Sequence, residues 1–195
     1  SDTNYLILGY LVEKHTGKKM YDLANKYGLK PYGLSLTEPS LKYSFKNLAV
    51  GYSRAGGPFP TAGAMVKGGK LVFSPKFEWT GGGFVSNPAD LAKWAKGLYN
   101  LKSVTPEMRK QMQTGVKAQT GRNHQYGLGM QIRPAQSGFT YGHSGWYPGY
   151  VSDCLYSPET GLALSIQFNT DDRSRLKKST EGYLLELGKI IISGL

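Results

Sequence analysis

From Tyr150 to Phe168 the chain reads YVSDCLY, then SPETG, then LALSIQF. Leu162, Leu164, Ile166 and Phe168 alternate with smaller or polar neighbours, the period of a strand that gives one face to a core. Tyr150 to Tyr156 reads as the strand before it, and Ser157-Pro158-Glu159-Thr160-Gly161 between them is turn chemistry. A link that short joins antiparallel neighbours, because a parallel return needs a long crossover. Working towards the N-terminus, Phe139 to His143 is a further strand. Tyr126, Leu128, Met130 and Ile132 alternate with Gln125, Gly127, Gly129 and Gln131 and predict one continuous half-buried strand. Four successive strands with short links make an antiparallel meander.

Helices flank this meander. Ser1 to Asn4 supply capping side chains, Gly17 is a stop, and the stretch between them reads as a helix. Tyr5 to Val12 is apolar on all sides, which predicts burial on all sides. A second short helix is expected from Met20 to Lys26, ending at Tyr27-Gly28 with Pro31 beyond. Residues 33 to 83 hold much of the Gly and Pro and little periodicity; Gly56-Gly57-Pro58 and Gly68-Gly69 mark turns. The spacing predicts a helix over 88–99. Asn87 caps it, Pro88 opens it, and Leu91, Trp94, Ala95 and Leu98 form one apolar face. Thr105 caps a short helix from Pro106, and a closing helix is expected over 176–192 with Leu184, Leu187 and Ile191 on one face. The fold class is α+β, an antiparallel sheet flanked by helices.

Twenty-four Lys and Arg against 13 Asp and Glu give a net charge of +11. That balance suits nucleic acid, an anionic surface or a small anionic substrate. The lysines stand singly or in pairs such as Lys18-Lys19 and Lys177-Lys178, without the cluster that tracks a phosphate backbone, so no nucleic-acid partner is expected. Cys154 is the only cysteine, which excludes a disulfide scaffold. The longest nearly apolar run, Tyr5 to Val12, is too short for a transmembrane segment.

The histidines are His15, His124 and His143, and none sits in a metal-binding pair, so no metal is expected. His15, near a helix end, reads as structural, and His124 lies in a polar loop. His143 falls in Tyr141-Gly142-His143-Ser144-Gly145-Trp146-Tyr147-Pro148-Gly149-Tyr150, between two strands and among small residues that let a ligand approach the backbone. An imidazole there can shuttle a proton near neutral pH, or it can be a hydrogen-bonded turn residue. Gly81-Gly82-Gly83 lacks the Gly-Lys-Ser/Thr of a phosphate loop and reads as a turn before the Asn87 cap.

Ser1-Asp2-Thr3-Asn4-Tyr5 at the head of the first helix resembles the Tyr-Ser-Asn-x-x-Tyr motif of the serine β-lactamase and penicillin-binding-protein-like family. That family includes class C β-lactamases, D-aminopeptidases, DD-peptidases and esterases. Lys30-Pro31-Tyr32-Gly33-Leu34 resembles its Pro-Leu-Gly-Met turn, and Thr80 to Trp94 its Gly-Gly-loop-helix segment. Gly127-Leu128-Gly129-Met130, Gly142-His143-Ser144-Gly145 and Pro148-Gly149-Tyr150 are similar to its Tyr-Gly-Leu-Gly-Trp and Gly-His-x-Gly signatures. The motifs fall in the family's order across the whole chain.

The resemblance implies a β-lactamase/transpeptidase-like fold and a serine hydrolase acting without a cofactor on an ester, amide or D-amino-acid peptide. It also implies a periplasmic or secreted location. The family's nucleophile stands in a Ser-x-x-Lys upstream of the Tyr-Ser-Asn motif. Residues 1–195 are therefore expected to form a single partial domain, the C-terminal part, inactive alone and paired with an N-terminal fragment of the same protein or a second copy. Ser174-Arg175-Leu176-Lys177 fits the letters but follows the last strand, in the wrong order.

Carried over from the family, His143 assists proton transfer, Ser144 hydrogen-bonds the substrate beside Gly145, and the Trp146 N–H is an oxyanion donor. Asp2 and Ser1 stand at the second motif. Asp2 replaces the family's Asn, and a carboxylate only accepts where an amide also donates, which leans towards an unusual substrate. The +11 charge favours an anionic one. Two other readings stay open: a relative that binds ligands without turnover, and an N-terminal-nucleophile hydrolase using Ser1.

Overall fold

The computed structural model describes residues 1–57, 59, 62–136 and 138–194. Helix α1 spans Asp2–Thr16. Ser1 is its N-cap residue without a side-chain cap bond, and Gly17 ends it at φ 65, donating its N–H to the Glu13 carbonyl at 2.8 Å. The expected burial on all sides is not found. Of α1 only Gly9 is buried; Ile7, Leu8, Tyr10 and Leu11 are each half or more exposed. The reason lies in the helical period. Tyr5, Gly9 and Val12 fall on one line, and the Trp79–Gly81 turn packs on α1 at Tyr5 and Gly9. Thr80 sits against Gly9, where a Cβ would come within 2.6 Å of its Oγ1, and donates that hydroxyl to the Tyr5 carbonyl at 2.7 Å.

Helix α2, Met20–Ala24, passes into a π turn over Asn25–Leu29, so the expected helix to Lys26 changes its bonding pattern partway. Short two-residue ladders fill the Gly- and Pro-rich stretch. Val66–Lys67 pairs with Lys70–Leu71 about Gly68 and Gly69, both at positive φ as a tight hairpin turn requires. Gly56 turns at φ 73; Pro58, the last residue of that expected turn, lies outside the described residues.

Helix α3 is Pro88–Tyr99, and the Asn87 side chain accepts from the Asp90 N–H at 3.0 Å. Asp90 is itself buried and anchors the distant segment after the π turn, accepting from the Leu36 N–H at 2.7 Å. Helix α4, Pro106–Gln113, is capped by Thr105.

The main sheet is a pure antiparallel meander of six strands: β1 (Val116–Lys117), β2 (Gln125–Tyr126), β3 (Gln131–Ala135), β4 (Gly138–Tyr147), β5 (Tyr150–Tyr156) and β6 (Ala163–Phe168). The single strand expected over Gln125–Ile132 is instead a hairpin, β2 and β3. Gly127 donates its N–H to the Met130 carbonyl at 2.9 Å, and Gly129 takes φ 72. A Cβ on Gly127 would overlap the Met112 carbonyl, so glycine lets this turn pack onto α4. The alternation of Leu128 with Met130 is thus an exposed turn residue beside a core residue.

Helix α3 covers β5 and β6, closing a core of Ala95, Tyr99, Leu101, Met130, Ile132 and Cys154. Helix α5, Thr180–Ser193, also packs on β5 and β6. It starts later than expected because Ser179 caps it by accepting the Gly182 N–H at 3.0 Å, after a 3-10 turn at Arg173–Arg175. Its inner line runs from Leu184 to Gly188, four residues on, and Leu187 and Ile191 are exposed rather than sharing the face of Leu184.

Candidate active site

Strand β4 is bordered differently along its length. Gly138–Gly142 pair with β3 and Tyr141–Tyr147 pair with β5, so from His143 onwards one edge has no strand beside it among the described residues. Gly142 opposes Leu155, and a Cβ there would overlap the Cys154 carbonyl. This glycine lets the strand cross tightly just before the candidate residues. His143 is therefore neither at a strand end nor in a turn; it lies inside a ten-residue strand, opposite Cys154.

The imidazole is wired at both nitrogens. Nδ1 lies 2.7 Å from the Ser144 carbonyl oxygen. A carbonyl only accepts, so Nδ1 carries the proton. Nε2 is then the acceptor, and the Tyr126 hydroxyl donates to it at 2.6 Å. The Tyr126 oxygen in turn lies 3.1 Å from the Tyr5 hydroxyl on α1. Burial pushes the His143 pKa below its ordinary value, and Arg133 adds to this, while the Ser144 carbonyl and the charges of Asp153 and Asp2 oppose it. Burial likewise pushes the Tyr126 hydroxyl up, keeping it a donor.

Ser144 belongs to a second network. Its Oγ accepts from Gln131 Nε2 at 3.2 Å. Gln131 Oε1 accepts from both Nε and Nη2 of Arg133, the former at 3.0 Å. Arg133 Nη2 donates to Asp153 Oδ1 at 2.9 Å, and Asp153 Oδ2 accepts from the Thr180 hydroxyl at 2.8 Å. With its oxygen already accepting from Gln131, the Ser144 hydroxyl is free to turn its proton towards an acceptor.

The other candidates are less engaged. Gly145 opposes Ser152, whose Oγ would lie 2.5 Å from a Cβ at that site. Trp146 stacks on Phe59 with ring centroids 6.0 Å apart, at the end of an aromatic row that continues through Phe73, Phe77 and Tyr147. Asp2 is exposed, and its Cβ lies 3.6 Å from the position a Cβ would take on Gly81. Its charge reaches His143, Tyr126 and Glu78, whose carboxyl is pushed up by burial first and Asp2 second. Ser1 is exposed, with no side-chain hydrogen bond at the cap. The structure thus joins His143 to the Tyr5 end of α1 through Tyr126, with Ser144 the next residue, and gives the Ser1 side chain no hydrogen bond to any of them.

His124 lies in the loop before β2, as expected, but its side chain is not solvated. It is buried, with Nδ1 3.2 Å from the Thr120 hydroxyl and Nε2 3.3 Å from Glu181. Ser174 of the Ser-x-x-Lys look-alike donates to Asp172 within an exposed 3-10 turn. Among the described residues, no three His, Cys, Asp or Glu side chains gather as a metal site. No helix of the described residues is long and apolar enough to cross a membrane.

Sequence reasoning passed over Tyr126, Gln131, Arg133 and Asp153. Tyr126 stood as one position of an alternating strand. The signal for the others was present: Gln131, Arg133 and Asp153 are polar residues in strands that otherwise bury their side chains, and such residues need partners.

An antiparallel meander with helices packed on it, and a Gly-His-Ser-Gly segment on the strand whose edge opens after Gly142, define a hydrolase fold of the β-lactamase and transpeptidase kind. The chain belongs to the Beta-lactamase family, whose family model matches residues 1–189. Similar solved structures include a D-amino acid amidase from Ochrobactrum anthropi SV3 complexed with D-phenylalanine (TM-score 0.80, 23% identity, covering 100% of this chain and 58% of that one). A D-stereospecific amidohydrolase from a Streptomyces species matches with TM-score 0.75 and 24% identity over 88% of this chain and 50% of that one. The octameric penicillin-binding protein homologue from Pyrococcus abyssi matches with TM-score 0.69 and 25% identity over 99% of this chain and 42% of its own. The chain spans about half the length of these structures.

Proposed function

We propose that the protein is a serine hydrolase that works through an acyl-enzyme on an ester, an amide or a D-amino-acid peptide. The observation that supports this reading is the convergence at β4, where neutral His143 joins the head of α1 through Tyr126 and Tyr5. In this reading the acyl-accepting serine and its lysine come from an N-terminal segment of the same protein outside the 195 residues. That segment also covers the exposed apolar flank of α1 formed by Ile7, Leu8, Tyr10 and Leu11.

The serine Oγ bonds to the acyl carbon and gives up its proton, and the leaving group departs with a proton as the tetrahedral intermediate collapses. Water then attacks the acyl-enzyme and regenerates the serine. His143 accepts and returns a proton, the Ser144 hydroxyl donates to a substrate carbonyl or carboxylate, and the Trp146 N–H faces the developing oxyanion. Asp2 accepts from a substrate N–H. The +11 charge supports an anionic substrate, drawn in by the field of the whole surface. Family membership supports a periplasmic or secreted location, which fractionation of the source cells tests.

A fluorophosphonate or penicillin probe added to the full protein should label one serine within the N-terminal segment, and the isolated 195 residues should not label. His143→Ala should slow turnover without unfolding the protein, and added salt should lower kcat/KM more for an anionic substrate than for a neutral one. No labelling together with an inert His143→Ala would leave a ligand-binding relative. Labelling at Ser1 would make it an N-terminal-nucleophile hydrolase. A dimer in which a second copy covers α1 would replace the N-terminal segment as its partner.

A further inference from the structure

Each hydrogen bond around His143 has only one direction open to it. The Ser144 carbonyl cannot donate, so the proton of the neutral imidazole is on Nδ1. Nε2 then has only a lone pair, so the contact with Tyr126 is Tyr126 Oη–H donating to Nε2. Tyr126 has a single proton and spends it there, so across the 3.1 Å contact Tyr5 is the donor. The result is a one-way row: Tyr5 to Tyr126 to His143 to the Ser144 carbonyl. The lone pair of His143 that a direct proton donor would need is occupied by Tyr126.

We propose that Tyr126 is a proton-relay residue: it occupies the Nε2 lone pair of His143, whose Nδ1–H is held by the Ser144 carbonyl, and carries protons between Nε2 and the head of α1. This rests on the hydrolase reading above for its use in turnover, while the tautomer itself does not. A proton delivered to the Tyr5 or Tyr126 oxygen moves along the row as each hydroxyl passes its own proton on. His143 ends as imidazolium, with Nδ1–H on Ser144 and Nε2–H on Tyr126. The reverse shift returns the proton to a leaving group. Each step breaks one O–H or N–H bond and forms another, and no co-reactant is needed.

The surroundings favour this arrangement. Tyr126 also meets the imidazole edge-on, with ring centroids 5.6 Å apart and planes at 90°, so the ring has little freedom to turn over. The charged and titratable groups around His143 are Arg133 on β3, Asp153 and Cys154 on β5, and Asp2 on α1. Arg133 favours the neutral ring, and the two aspartates oppose it.

The direct test is the imidazole nitrogen spectrum of the full protein at pH 7.5. A single protonated Nδ1 and an acceptor Nε2 should be seen for His143; a protonated Nε2 would overturn the proposal by itself. Tyr126→Phe should keep the Nδ1–H tautomer, lower kcat roughly tenfold with KM within about twofold, and move the acid limb of the kcat/KM profile to higher pH, because a donor to the neutral ring is lost. Tyr5→Phe should keep the tautomer and lower kcat less. Unchanged kcat and pH profile in a folded Tyr126→Phe would overturn the proposal. If Tyr126→Phe does not fold, the wild-type spectrum and the pH profile of Tyr5→Phe decide. A wild-type protein with the expected tautomer but no labelled serine and no turnover would reject the hydrolase reading and leave the tautomer assignment standing.

Discussion

Arg133 on β3 and Asp153 on β5, each about 1% exposed, are joined Nη2 to Oδ1 at 2.9 Å across the intervening strand β4. Neither strand could bury such a charge alone. The pair also holds Gln131 and Thr180, tying the sheet to the start of α5. Removing one partner leaves the other buried without its counter-charge. Asp153→Ala should therefore lower unfolding stability by about 3–5 kcal/mol, seen as a lower urea midpoint at unchanged slope. Replacing both residues by apolar side chains of similar volume should cost much less than the single change.

Gln131 links that pair to Ser144, and its amide cannot flip, because Arg133 demands an acceptor on one side. Gln131→Leu leaves Arg133 Nε without an acceptor and frees the Ser144 hydroxyl to rotate. Unfolding stability should fall by about 1–3 kcal/mol. In the proposed reaction, KM should rise more than kcat falls, because Ser144 touches the substrate rather than the reacting bond. Steady-state kinetics on the full protein separates the two.

Much of the architecture was legible from period and punctuation. Tyr150–Tyr156 is a strand at its expected bounds, and α3 runs from Pro88 to Tyr99 because its cap, its proline and its apolar face agree. Legibility failed where tertiary contact overrides local pattern. The Gln125–Ile132 alternation is a strand signal, yet Gly127 and Gly129 permit a turn, and only the packing of α4 against Gly127 shows that the turn is used. The all-round apolar α1 says nothing of which neighbours it meets. At the site, His143 stood out by its small neighbours. Tyr126 and Tyr5 could not, because 17 and 138 residues separate them from His143 and folding alone unites them.

Gly142 should tolerate no side chain. A Cβ would overlap the Cys154 carbonyl, which is backbone of the neighbouring strand and cannot swing aside. Gly142→Ala should destabilise by about 1–3 kcal/mol and shift β4 against β5, disturbing His143 and Ser144 together. Gly161→Ala tests the contrast: that site has open space and a positive φ of 68, so its cost is the conformational one alone. Thermal unfolding of both variants should rank Gly142→Ala as the less stable.

Cys154 is buried opposite His143, and loss of solvation pushes its thiol up to about 11. Thiolate is the reactive form, so this cysteine should be inert in the folded protein. At pH 8 a thiol reagent such as Ellman's should react with less than one equivalent until urea unfolds the chain, and then with one. Prompt reaction without denaturant would show that β5 opens locally beside the candidate site.

Acid should weaken the fold through His143. Its folded pKa lies below the ordinary 6.5, chiefly because burial disfavours the charged ring. The unfolded chain therefore binds a proton at a higher pH than the folded chain does. Stability contributed by the neutral ring is complete above about 6.5, falls as pH drops from there towards the folded pKa, and levels off below it. Urea midpoints taken in half-unit steps between pH 7.5 and 4.5 should decline over that window. His143→Phe removes the titration, and its decline should be shallower in the same range, with carboxylate effects common to both proteins. Parallel declines would mean that the imidazole takes up its proton without resistance, contrary to a ring kept neutral by burial.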